Sequence, residues 1–353
     1  MFQIDVAEGI KSVKYLLDIW KIVAASGNPI KGGDFIVGSS GATGVAHRQF
    51  DFTDQDLDEL PGDKNSQLFK VLGQNDRSLQ YLDNLRVGNE CLVFCLHGLG
   101  LDQDDFSELL MELPVRGIAP TLCGFHRLDV GLLPLTIEAH CYLTARFIES
   151  KLAELKPSSV VLVGFSTGAD LLLRLPSYLS IPAATEVACL FLDANINEQT
   201  CFISKQLADI GGESKLASVR LAQEIAGVAT DLDEWINIHS YLVKVLGKFR
   251  ADLAPLSQFA SEILEQHRGI EVTDFLKRSS GFLAWCDEFK FVFSGGEAHA
   301  ALLSDLQSFS SNSEMGLGLP DQYLTWERER SHFDLLEVEF LSSVVGDFQV
   351  MSS

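Results

Sequence analysis

A serine hydroxyl is a poor nucleophile at neutral pH. It does covalent chemistry only where the chain exposes it, supplies a base, and prepares N–H donors for the oxyanion that forms. The stretch VVLVGFSTGAD, residues 160–170, meets the first of these demands. An apolar run ends at Gly164, Ser166 and Gly168 complete G-x-S-x-G spacing, and a helical pattern begins behind them. Glycine at both positions removes side chains that would collide in a sharp strand-to-helix turn. The helix that starts near Thr167 points backbone N–H groups at the reacting centre. The chemistry expected is attack of the Ser166 hydroxyl on a carbonyl carbon.

A second oxyanion donor is expected from HGLG, residues 97–100, which ends the preceding apolar strand in a glycine turn. The backbone N–H groups of Leu99 and Thr167 are the candidate pair. His97 reads as a residue that shapes this turn. Of the other histidines, His47, His126 and His140 precede the serine in helices or loops, and His239 and His267 fall in a helical stretch, so packing or surface roles are expected of them.

The elements that must position these residues alternate from about residue 85. Short buried strands are expected at ECLVFCL, RGIAPTLCG, VVLVGF and VACLFLDAN, with amphipathic helices at LTIEAHCYLTARFIESKLAEL and ADLLLRLPSYL, which is the pattern of a parallel sheet covered on both faces. From residue 198 to about 280 the pattern is helical without strands. FKFVFSGGEAH and QYLTWERERSHF then resume it, and FDLLEVEFLSSVVGDF closes with a helix. The reading is therefore an N-terminal extension over 1–84, a core over 85–197, a helical lid over 198–280 and the rest of the core over 281–353.

The order HGLG, GFHRLD, GFSTG, FLDAN, a helical segment and finally SHFDLLE resembles the α/β-hydrolase fold. The resemblance implies a mostly parallel central sheet with helices on both faces and a helical lid insertion, Ser166 as nucleophile and His332 as base. His332 also follows the last strand candidate. The acid is less direct: hydrolases of this fold often carry it after the strand that follows the lid, and there this chain reads SGGEAHAALL, with His299 at the expected place and Glu297 and Asp305 as substitutes. Asp193, at the end of the strand after the serine helix, is the preferred acid. It lies on the same sheet edge as Ser166. Together with the SHFDLLE ending, this placement resembles the thioesterase branch of the fold. The activity implied is a serine esterase or thioesterase, with acyl transfer or cyclisation by the same triad, or non-catalytic ligand binding on a hydrolase scaffold with the triad retained or decayed, as alternatives.

Composition narrows the partners. A formal charge of −22 repels phosphate backbones and anionic surfaces, so neither nucleic acid nor membrane is expected. The N-terminus lacks the pattern of a secretory signal. Seven cysteines without a C-x-x-C pair point to reduced thiols in a cytoplasmic setting, and no metal or cofactor is expected. Gly38, Gly41 and Gly44 form a weak dinucleotide-loop pattern that no βα unit follows; a loop or hairpin is the plainer reading. Asp51, Asp54, Asp56, Asp58 and Glu59 read as a solvated face, and residues 6–25 as an amphipathic helix. Phe202, Ile203, Leu207, Trp235, Ile238, Tyr241, Leu242 and Leu246 could wall a pocket for an apolar acyl group, delivered as a small molecule or on a carrier. Lys244, Lys248 and Arg250 could form a small basic patch for an acidic carrier protein. The oligomeric state is left open.

Overall fold

The computed structural model describes residues 44–61, 78–88, 90–125, 136–209, 232–249, 253–282, 285–295, 302 and 323–351. All of these belong to one compact unit, Thr43–Ser353. The helix expected over residues 6–25, Gly38 and Gly41, His126, Arg250, Glu297, His299 and Asp305 lie outside the described residues.

Eight strands form one sheet in the order β1-β2-β4-β3-β5-β6-β7-β8. They are β1 (Ala46–Asp51), β2 (Ser78–Asp83), β3 (Cys91–Leu96), β4 (Arg116–Pro120), β5 (Ser159–Phe165), β6 (Glu186–Leu192), β7 (Glu288–Ser294) and β8 (Leu324–Glu327). β2 pairs antiparallel with β1 and with β4, and the remaining neighbours are parallel. The sheet thus begins ahead of residue 85. Asp83 and Asn84 tie this edge down: Arg116 donates to Asp83 at 2.7 Å, and Asn84 Nδ2 donates to Leu110 O and Val115 O at 2.9 Å each. The acidic segment forms a short helix, α1 (Asp54–Asp58), with Thr53 and Asp56 in a reciprocal capping box and its carboxylates largely exposed.

Parallel strands need crossovers, and helices supply them. In chain order these are α2 (Ser107–Glu112), α3 (Ile137–Leu155) and α4 (Thr167–Leu172). Between β6 and β7 come α5 (Phe202–Ala208), α6 (Leu232–Lys248), α7 (Ala254–His267) and α8 (Val272–Phe282), with no strand among the described residues of that segment. α9 (Val338–Met351) ends the fold.

β5 shows why these strands read as continuous apolar runs. Every residue of it is buried, and successive side chains point to opposite faces. Val160 and Leu162 join one core cluster with Phe94, Phe147 and Phe291. Val161, Val163 and Phe165 join the other, with Phe106, Tyr241 and Leu341. Helices cover both faces, and the C-terminal strand ends meet at one edge. No helix among the described residues is long and apolar enough to cross a membrane.

Candidate active site

Ser166 sits between β5 and α4 with φ 53° and ψ −119°, a conformation that a side chain rarely adopts. The two flanking glycines make this turn possible by close approach. A Cβ on Gly168 would stand 2.1 Å from Leu96 O, and one on Gly164 would stand 2.6 Å from Gly168 O. Ser166 N–H donates to Leu192 O at 2.8 Å, which fixes the turn to the end of β6.

The HGLG turn lies against the serine. A Cβ on Gly98 would meet Ser166 Cβ at 3.2 Å and the Phe165 ring at 3.0 Å. His97 is buried, and its Nε2 accepts from Leu122 N–H at 2.9 Å, so its Nδ1–H is the donor to Gly98 O at 2.8 Å. Burial pushes this ring down to about 3, and it stays neutral as a fixed part of the turn. Gly98 O also accepts from Leu101 N–H at 3.2 Å. Because a trans peptide sets its N–H opposite its C=O, the Leu99 N–H points away from those two donors. Neither the Leu99 nor the Thr167 N–H donates a hydrogen bond among the described residues.

His332 precedes a 3₁₀ turn, Phe333–Leu336, that leads into α9. Its Nδ1 lies 2.7 Å from Asp193 Oδ2, and its ring lies beside Phe165, with centroids 4.6 Å apart. A carboxylate only accepts, so Nδ1 carries a proton, and in the neutral ring this leaves the lone pair on Nε2. Among the described residues the Ser166 hydroxyl is hydrogen-bonded neither to this ring, whose partner is Asp193, nor to any other group. Asp193 is itself in a left-handed turn, φ 46°, at the end of β6, and is buried. Its carboxylate also accepts from Ser294 N–H and Ser294 Oγ–H, both at 2.6 Å. An ionised carboxyl satisfies all three donors.

Two contributors were not legible in the sequence. Ser294, at the end of β7, carries no local mark; its partner is 101 positions away. Asp170, one turn along α4 from Ser166, accepts from Asn195 N–H at 3.2 Å and Asn195 Nδ2 at 2.5 Å, tying the serine helix to the chain just past Asp193. Its acidic side chain in the apolar stretch behind the serine was visible in the sequence, but its partner, 25 positions on, was not. Burial pushes its carboxyl up, and His267 Nε2 stands 3.7 Å away.

The basic patch expected of Lys244 and Lys248 is corrected. Both turn inward: Lys244 bridges Asp102 at 2.7 Å and Asp105 at 2.6 Å, and Lys248 bridges Asp102 at 2.5 Å. Burial opposes the charge on Asp102, yet the two lysines hold its carboxyl below the ordinary range. Of the apolar side chains expected to wall a pocket, Leu207, Ile238, Tyr241 and Leu242 are buried against the core, and Phe202, Ile203 and Leu246 pack on it half-buried. His140 and His267 are buried, and among the described residues His47 hydrogen-bonds to Gln103, so none of them joins the serine. A cavity of about 360 Å³ opens beside His267, lined by Asn197, Glu198, Lys205 and Ile270 among others, and by none of Leu99, Ser166 and His332.

Compared by sequence, the chain matches no family model and no curated protein. Compared by structure, it is similar to 1H-3-hydroxy-4-oxoquinoline 2,4-dioxygenase, at 15% identity and a TM-score of 0.55, covering 78% of this chain and 97% of that one. It is similar also to a bromoperoxidase from Bacillus anthracis, at 13% identity and a TM-score of 0.51, covering 79% and 97%. A thermophilic esterase from Thermogutta terrifontis shows 15% identity and a TM-score of 0.50, covering 79% and 96%. Identities this low speak for architecture and not for reaction. Strand order, helical crossovers and these likenesses agree: the chain has the α/β-hydrolase fold.

Proposed function

We propose that this chain is a serine hydrolase that cleaves an ester or thioester of an apolar acyl group through an acyl-enzyme. The observation that carries the reading is the 2.7 Å contact of His332 Nδ1 with a buried, fully satisfied Asp193 at the edge where Ser166 turns. In the proposed reaction His332 Nε2 takes the Ser166 proton as Oγ bonds to the carbonyl carbon. The Leu99 and Thr167 N–H groups receive the oxyanion, and Asp193 fixes the tautomer and stabilises the imidazolium. Collapse then expels the alcohol or thiol with the proton from His332, and water repeats the sequence to release the acid. The serine and histidine close to hydrogen-bond distance once substrate is seated, since such contacts tighten on binding.

The acid after β6 instead of β7 supports the thioesterase-like branch. An apolar helical segment between acid and histidine supports an apolar acyl group held beneath a lid. With Lys244 and Lys248 consumed by Asp102 and Asp105, a small ester or thioester is favoured over a carrier-protein substrate. Seven free cysteines, six of them buried, support a reducing, cytoplasmic setting.

The test is labelling with a fluorophosphonate, with the modified residue mapped by mass spectrometry, beside turnover of a series of acyl esters and thioesters of increasing chain length. Wild type is expected to be modified at Ser166 and to turn over the apolar members, and Ser166→Ala to do neither. A folded wild-type protein that never reacts at Ser166 would overturn the proposal. Product analysis with an amine or alcohol acceptor separates hydrolysis from acyl transfer.

A further inference from the structure

One stripe of α6 touches both loops that flank the serine. Residues 237, 241, 244, 245 and 248 recur at the spacing that keeps side chains on one face of a helix. Toward the HGLG turn, the Tyr241 hydroxyl donates to Leu99 O at 2.9 Å and Lys248 Nζ donates to Gly100 O at 3.0 Å. Gly100, with φ 78°, admits the helix here: a Cβ on it would stand 2.6 Å from Val245 and 3.2 Å from the Tyr241 hydroxyl. Toward the histidine loop, Asn237 Nδ2 donates to Asp334 Oδ1 at 2.7 Å, and the Tyr241 ring lies 5.1 Å from that of Phe333. Asp334 in turn accepts from Ser331 N–H at 2.7 Å, so this contact reaches the backbone beside His332.

We propose that Tyr241 is a positioning residue for the oxyanion donor, and that with Asn237 it makes the productive geometry of both loops conditional on α6 being docked. The proposal rests on the hydrolase reading given above. Leu99 is flanked by two peptides. The 98–99 unit is held by His97 and Leu101 through Gly98 O, and the 99–100 unit by Tyr241 through Leu99 O. The Leu99 N–H lies in the first unit, and the second anchors the Leu99 Cα from its other side. Without the Tyr241 hydroxyl, the 99–100 unit, which ends at a glycine free to change its angles, can rotate, and the Leu99 Cα then rests on the Gly98 O contacts alone, so the N–H beside it is held less firmly. The hydroxyl is 4% exposed with its residue, and burial pushes its ionisation far up, so it remains a donor throughout the working range. Apolar packing alone asks for a phenylalanine at this place; the hydroxyl is what reaches the loop.

The experiment compares wild type with Tyr241→Phe, Asn237→Ala and the double variant, using the fluorophosphonate and one apolar acyl ester. Val243→Ala, on the exposed side of the same helix at 47% exposure, is the control. Tyr241→Phe keeps the ring and its packing. It is expected to lower kcat about 10-fold with KM changed less than about two-fold, and to slow labelling in proportion. Asn237→Ala is expected to lower kcat as well, and the double variant to fall short of the product of the two losses, because both act through one docked helix. Thermal midpoints read alongside separate rate from folding. Tyr241→Phe turning over within two-fold of wild type, or losing activity only in proportion to folded protein, would sink the inference while leaving the hydrolase reading intact. Absence of labelling in wild type sinks the hydrolase reading itself, and this inference with it.

Discussion

The serine turn and the histidine loop are held by opposite means. Around Ser166 the constraint is exclusion: two glycines let backbone approach backbone so closely that no side chain fits, and parallel register sets β5 beside β3 and β6. Around His332 the constraint is attraction, through single hydrogen bonds to Asp193 and, by way of Asp334, to Asn237. A region held by exclusion fails as a whole when one atom is added. A region held by polar contacts can lose one and keep its shape while losing its chemistry.

The sharpest way to break the comparison is Gly168→Ala. Its methyl would fall 2.1 Å from Leu96 O, a backbone atom that does not move without β3. A loss of about 3 kcal/mol is expected, read as a lower urea midpoint together with loss of labelling. Normal stability and normal labelling would mean that the turn tolerates what the geometry forbids. Asp193→Asn comes next, and it addresses the other region. The fold should persist, since the amide keeps one oxygen for Ser294, but the imidazole loses the partner that fixes its tautomer. kcat is expected to drop on the order of 10³–10⁴ with a thermal midpoint near that of wild type. Retained activity here, with loss in Glu297→Gln, would move the acid to the segment after β7.

The smallest expected effect concerns His140, which belongs to neither region. It is buried between the Phe125 and Phe259 rings, and burial, with a smaller contribution from His97, pushes its pKa down to about 3 from 6.5. Below pH 6.5 the unfolded chain takes up a proton that the native ring refuses. Its stabilising contribution is therefore complete above that pH and declines as pH falls toward 3. His140→Phe should remove this acid penalty, on the order of 1.4 kcal/mol per pH unit, seen as a shallower fall of the denaturation midpoint below pH 6. A parallel fall in both proteins would refute it.

The same contrast explains what could be read from the sequence. The serine turn is legible because its cause is local: a buried strand, G-x-S-x-G and a helix within a dozen residues. The five strands from β3 to β7 are legible for a similar reason, since a largely buried strand writes a near-continuous apolar run; β8 is expected too, although every residue of LTWE is only partly buried. β1 and β2 are not legible: β1 is an edge strand, mostly exposed, and AHRQFD carries polar residues that a loop would also carry, while β2, SLQYLD, breaks its apolar residues with Gln80 and ends in Asp83. At the site, Asp193 and His332 could be nominated from their places after strands. Ser294, Asn237 and Tyr241 could not be assigned these contacts, since each acts on a group between 97 and 142 positions away, and nothing in their own neighbourhood marks it. The two lysines of α6 misled for the converse reason. Their charge was visible, but the aspartates that absorb it stand on another loop.

The backbone angles of Ser166 carry one more consequence. At φ 53° and ψ −119° a glycine would rest without strain, whereas any residue with a Cβ costs of order 1–3 kcal/mol. The elbow already contains glycines on both sides, so a third would make the turn easier to form. A chain needing this fold only as a framework would be more stable without the serine. The hydroxyl is held where the main chain resists it, and the molecule is less robust at that point than its own architecture permits.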